Sequence, residues 1–118
     1  MGVHNELGVT GEKMARTWLE EKGYTILHQN WRYKQYEIDI VATRGKFLHF
    51  VEVKARQGKQ IGHPEDAVTK KKFKNLRRAA DEYLFLNPGH HWIQYDILSI
   101  SLHNEAAADY FFIEDVYL

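Results

Sequence analysis

Apolar and polar residues alternate in two neighbouring stretches, "YEIDIVA" from Tyr36 and "KFLHFVEVKA" from Lys46, with the period of two that marks strands. The polar run Thr43-Arg44-Gly45-Lys46 between them has hairpin length and predicts an antiparallel pair. "YTILHQNW", Tyr24 to Trp31, predicts a strand before the pair. "WIQYDILSISL" and "YFFIEDVYL" predict two after it, the last a strand alone or one running into a terminal turn. Helical spacing takes over elsewhere. Met14, Ala15, Trp18 and Leu19 form an apolar stripe that predicts a helix over Thr10 to Lys22, with Thr10 as N-cap and Gly23 as the stop. A longer helix is predicted over Glu65 to Leu86. Pro64 precedes it, Glu65 and Asp66 suit its first turn, and Asn87-Pro88-Gly89 ends it. Its buried face is Val68, Phe73, Leu76, Ala80, Tyr83 and Leu84. The order α-β-β-β-α-β-β favours an α/β fold, a mixed sheet flanked by helices. No repeat or linker divides the chain, so residues 1–118 are expected to form one domain.

The central pair carries charges where a buried sheet should have none. Side chains alternate across a strand, so Glu37 and Asp39 share one face while Ile38 and Ile40 take the other. On the next strand Glu52 and Lys54 share a face with Leu48 and Phe50, and Val51 and Val53 point away. A turn centred on Arg44-Gly45 sets Asp39 opposite Phe50 and Glu37 opposite Glu52, with Asp39 and Glu52 as diagonal neighbours. All four charged residues then lie on one face. Opposed carboxylates destabilise a strand pair unless a cation or a basic neighbour sits between them. The apolar company of Leu48 and Phe50 argues against a merely solvated face and for a cation site.

Composition narrows the setting. With 44% hydrophobic and 14% aromatic residues the chain is globular. No apolar run reaches membrane-spanning length, "MGVHNELG" lacks the pattern of a secretory signal, and there is no cysteine, so an intracellular, cytoplasmic protein is the default. Net charge is zero, but its distribution is uneven. Between Lys54 and Arg78 stand nine Lys or Arg against two acids, leaving seven basic and fourteen acidic residues elsewhere. That asymmetry suits either a polyanion-facing side or a solvated lysine-rich helix. The seven histidines show no ligand spacing beyond the adjacent His90 and His91, which fit a polar turn, and His63 stands just ahead of the long helix.

An acid, a short strand connection, then Glu-x-Lys resembles the signature of the PD-(D/E)XK nuclease superfamily. The ordered blocks "GEKMARTWLEEKGYTIL", "NWR", "EIDIVA", "FVEVKAR", "PEDAVTKKKFKNLRRAADEYL" and "YDILSI" resemble more closely the YraN-like family of predicted endonucleases, itself similar to archaeal Holliday-junction resolvases. The resemblance implies a restriction-endonuclease-like core and a catalytic set of Glu12, Asp39, Glu52 and Lys54. It implies Mg²⁺ or Mn²⁺ held by Asp39, Glu52 and the carbonyl of Val53, with Glu37 and Lys72 in support. Lys54 resembles the lysine that orients or activates water beside the phosphate. Tyr36 stands where the family usually has glycine, and "IQYD" replaces a segment that more usually bears arginine.

The resemblance implies a metal-dependent endonuclease acting on DNA, branched or otherwise structured, with a homodimer expected by analogy with two-fold junctions. Acids without cysteine or clustered histidine suit Mg²⁺ or Mn²⁺ rather than zinc. Arg56, Lys70, Lys71, Lys74, Arg77 and Arg78 are the expected backbone contacts. Trp31, Tyr33 and Tyr83 are candidates for stacking on unpaired bases or for the core. A non-catalytic nucleic-acid-binding accessory protein with the same fold is the alternative. A protein-interaction domain leaves the basic segment unexplained.

Overall fold

A computed structural model describes residues 3–58, 68–104 and 107–117. Its elements are α1 (Val3–Glu21), β1 (Thr25–Tyr33), β2 (Tyr36–Arg44), β3 (Phe47–Gln57), α2 (Lys70–Leu86), β4 (Trp92–Asn104) and β5 (Ala107–Ile113). The strands form one sheet in the order β1-β2-β3-β4-β5. Every neighbouring pair is antiparallel except β3 and β4, which run parallel and are joined through α2. The mixed α/β sheet expected from the element order is the one observed. Among the described residues no helix is long and apolar enough to cross a membrane.

Two apolar clusters fill the space between sheet and helices. Ala15 and Leu19 of α1 pack with Ile40, Val51, Leu98 and Ile100. Phe73, Leu76, Ala79, Ala80 and Tyr83 of α2 pack with Val41, Leu48, Phe50 and Ile97. Val68 is buried in the same cluster but lies ahead of the helix. The α1 stripe is as expected, and so is its end. Gly23 at φ +92°, with Tyr24 N–H donating to Leu19 O and Gly23 N–H to Glu20 O, makes a Schellman cap.

Four sequence expectations are corrected. The first helix begins at Val3, so Thr10 lies inside it and is not its cap. The second begins at Lys70. Its cap is Thr69, whose Oγ1 accepts from Lys72 N–H at 3.2 Å, and no acid sits in its first turn. His63, Pro64, Glu65 and Asp66 lie outside the described residues. Strand β1 runs to Tyr33 rather than Trp31.

The fourth correction bears on the site. Pairs such as Ile40↔Val51 and Arg44↔Phe47 leave only Gly45 and Lys46 as the hairpin loop. Gly45 at φ +60° fills the first loop position, where a two-residue turn of the II′ kind needs positive φ. The register is therefore two residues away from one centred on Arg44-Gly45. One step past the last pair, Asp39 comes beside Glu52 rather than Phe50. A slip of two preserves the pleat along this ladder, but the alternation breaks just past its end. Ile38 packs on the α2 side with Leu48 and Phe50 while Ile40 packs on the α1 side with Val51, so the two isoleucines do not share the face expected of them.

Candidate metal and phosphate site

The β2–β3 ladder runs from Arg44↔Phe47 to Ile40↔Val51. One step on, at Asp39 and Glu52, a side chain replaces the backbone: Val53 N–H donates to Asp39 Oδ2 at 2.8 Å. In a strand the N–H and C=O of one residue point the same way. The Val53 carbonyl therefore faces the same opening as Asp39. The parting of the strands converts a rung of the sheet into an oxygen-lined notch.

Asp39 and Glu52 are both half-buried and within hydrogen-bonding reach of each other. Burial pushes the Glu52 carboxyl up to about 8, with the Asp39 charge adding to it and Lys72 and Lys54 opposing it. Burial likewise raises Asp39 to about 6, against the Val53 hydrogen bond and with help from Glu37 and Glu12. Two carboxyls that resist ionisation side by side suit a shared proton or a shared cation. Lys54 is shifted down, first by the charge of Lys72, then by burial and by Arg56. Lys72 is exposed at the N-terminal turn of α2, yet it bears on both Glu52 and Lys54.

Glu12 comes in from α1. Its Oε2 accepts from Asn30 Nδ2 at 3.0 Å, and its backbone oxygen accepts from Gln29 Nε2 at 3.3 Å. Gln29 is itself held by Arg16 at 3.1 Å. Asn30, at φ +54°, falls between the pairs Gln29↔Ile40 and Trp31↔Ile38, level with Asp39. It thus holds the helix acid where its charge bears on Asp39. Nothing in the alternation of β1 singles out Gln29 and Asn30; the polar dipeptide before Trp31 is the only trace of their role. Gly11 permits the approach, since a Cβ there would stand 2.6 Å from Ala55 Cβ. Gly11→Ala should cost roughly 1–3 kcal/mol through overpacking and shift Glu12. Urea denaturation should show that loss, and Ala55→Gly in the same chain should restore most of it.

The remaining expected residues divide. Glu37 pairs with Arg32 of β1 at 3.6 Å, which supplies the basic neighbour its position demanded. Arg56 is half-buried beside Lys54. Lys70, Lys71 and Lys74 are exposed on α2. Arg77 and Arg78 are exposed too, but each meets a tyrosine. Arg78 Nη1 donates to Tyr36 Oη at 3.0 Å, and Arg77 hydrogen-bonds Tyr95. Trp31 and Tyr83 pack against each other in the core, which absorbs two candidate stacking rings. Tyr33 instead lies against Lys34.

Among the described residues no three His, Asp or Glu side chains gather as a ready metal cage. Mg²⁺ does not need one, since it is commonly bound through one or two carboxylates together with substrate phosphate and water. Asp39, Glu52 and the Val53 carbonyl are hard oxygen donors of that kind, and their fit to such an ion is good.

The sequence profile described as "Uncharacterised protein family UPF0102" matches residues 11–100, from Gly11 in α1 to Ile100 in β4. A UPF0102 protein of Chlorobium chlorochromatii is 41% identical over 113 residues, which are 94% of this chain and 88% of the relative. One from Bacteroides thetaiotaomicron is 44% identical over 100 residues, 85% of this chain and 83% of the relative. One from Christiangramia forsetii is 37% identical over 117 residues, 99% of this chain and 98% of the relative.

Proposed function

We propose that this chain, which belongs to the uncharacterised protein family UPF0102, is a metal-dependent endonuclease that hydrolyses phosphodiester bonds in DNA. One observation carries the reading: at the point where β2 and β3 part, Asp39 and Glu52 meet beside Lys54 and Lys72. A pure binder of polyanions gains nothing from half-buried acids at its most basic side. Asp39, Glu52 and the Val53 carbonyl would hold Mg²⁺ or Mn²⁺. When bound, such an ion neutralises phosphate charge and makes water more acidic.

The chain's own groups do the rest. Lys54 holds a positive charge where negative charge develops on the phosphate. Lys72 shares that phosphate from the helix. Glu12, fixed by Asn30, supplies an acceptor that can orient water. Glu37, tied to Arg32, supports the strand rather than the reacting atoms. Lys70, Lys71 and Lys72 crowd the first turn of α2, where the macrodipole disfavours cations. A local disadvantage of that kind is offset when the helix end faces a polyanion. These lysines, with Arg56 and Lys74, form the backbone-contacting surface.

The direct test is a cleavage panel of branched, duplex and single-stranded DNA in Mg²⁺, Mn²⁺ or chelator. Cutting with either metal and none in chelator is expected. Binding without cutting in every condition would return the protein to the class of accessory DNA binders. Lys54→Ala should lower the single-turnover rate by roughly 10²–10³, the usual effect of removing one transition-state donor, while DNA affinity in chelator changes little. Equal losses in affinity and rate would reduce Lys54 to a simple phosphate contact.

A further inference from the structure

A cavity of about 200 Å³ opens between α2 and β4, lined by Phe73, Arg77, Tyr95 and Tyr117. A cavity of roughly 150 Å³ accepts one benzene ring, so this one has room for a single aromatic heterocycle. Its walls are built rather than incidental. Tyr95 stacks on Phe50 at 5.7 Å between ring centres and meets Phe73 edge-on at 5.5 Å. The Tyr95 hydroxyl holds the Arg77 guanidinium.

Tyr117 closes the fourth side with 78% of its surface exposed. It is not a loose end. Asp115 N–H donates to the buried Asp96 carboxylate at 3.0 Å, and Val116 N–H donates to Tyr95 O at 2.8 Å. An anchored segment thus presents a ring to solvent that the core does not use.

The cavity also lies close to the acid pair. Tyr95 is level with Phe50, and Ile97 is level with Glu52. Two residues along and one strand across separate Tyr95 from Glu52 by roughly 8 Å between backbones. Phe73 directly follows Lys72.

We propose that this cavity takes the base of one unpaired nucleotide next to the scissile phosphate, stacked on Tyr117, with Arg77 on an adjoining phosphate. Asp81 bears on Tyr95 and Asp115 accepts from the Tyr117 hydroxyl, but Lys70 and Lys74 stand exposed on the same helix as Arg77, and the three cations favour a nucleotide, with its phosphate, over a neutral aromatic ligand. A fully paired duplex keeps its bases stacked inside and cannot fill the cavity without flipping one out. The substrate class is therefore DNA with a single-stranded element at the cut. This assignment rests on the endonuclease reading for its placement, but the binding it describes needs no catalysis.

The experiment measures anisotropy of labelled DNA in chelator, where nothing can be cut. Its probes are a short single strand, the same strand with an abasic site, and a blunt duplex. Tyr117→Ala should weaken single-strand binding roughly five- to 150-fold, the range for loss of one base–aromatic stack, and leave duplex affinity where it was. Tyr117→Trp should retain the single-strand affinity. Thermal melting checks that the exposed substitution leaves the fold intact. An unchanged single-strand affinity in Tyr117→Ala, or an equal loss on both DNA forms, would overturn the assignment. If wild type cuts DNA but Tyr117→Ala binds normally, only the pocket falls. If the stacking signature appears but no metal supports cutting, only the endonuclease reading falls.

Discussion

Glu52→Gln and Asp39→Asn should each lower single-turnover cleavage by at least roughly 10²–10³, because each removes a charge that would hold the proposed cation. The same substitutions should leave the metal-free fold intact or firmer. A carboxyl whose folded pKa lies above its unfolded value binds its proton more tightly when folded. Its stabilising effect is present below the unfolded pKa and is lost as pH rises through the folded one. For Glu52 that window runs from 4.5 to about 8, and for Asp39 from 3.8 to about 6. The wild-type melting temperature in chelator should therefore fall as pH rises across this range. Glu52→Gln should flatten the fall, since burial and mutual repulsion then penalise one charge instead of two. Melting curves at several pH values check this. A wild-type protein that gains stability across the range would show that the acids are not held together as described.

Asp96→Ala should be the most damaging single change to the fold. The Asp96 carboxylate is fully buried, lies 2.7 Å from His49 Nδ1, and accepts from Gln94 Nε2 at 3.0 Å and from Asp115 N–H at 3.0 Å. Its removal leaves a buried imidazole and a backbone N–H without their acceptor. Breaking a buried pair of this kind costs about 3–5 kcal/mol, a large share of the roughly 5–15 kcal/mol that holds a domain together. Chemical denaturation should show that loss. It should also release the segment that carries Val116 and Tyr117, raising amide exchange there. A loss under about 1 kcal/mol, the net value of one ordinary hydrogen bond, would mean that the three contacts are not acting together.

Much of this architecture was legible in the pattern of residues, and the misses have physical causes. Period two identified β2 and β3, and on β3 it separated Leu48 and Phe50 from Val51 and Val53; on β2 it failed between Ile38 and Ile40, which pack on opposite sides of the sheet. The exact pairing was not legible, because "TRGK" fits a four-residue turn as well as a two-residue loop, and only the positive φ of Gly45 distinguishes them. The start of α2 was misplaced because Thr69 caps it while lysines, not acids, follow. The Asn30 anchor of Glu12 depends on a left-handed backbone residue in mid-strand, which carries no sequence period. His49 and Asp96 meet across 47 residues of chain through the parallel β3–β4 pair. Local patterning cannot announce such a contact.

Asp39 and Glu52 are proposed to bind one divalent cation together. Both acids have proton affinities raised by burial and proximity, and metal ligands must give up their protons to bind. Mn²⁺ titration by calorimetry near pH 6.5, repeated in buffers of different ionisation enthalpy, measures binding and proton release together. Wild type should bind Mn²⁺ with release of protons, and Asp39→Asn with Glu52→Gln should lose both the heat and the protons. Equal binding by the wild type and the double variant, with no proton released by either, would contradict the account.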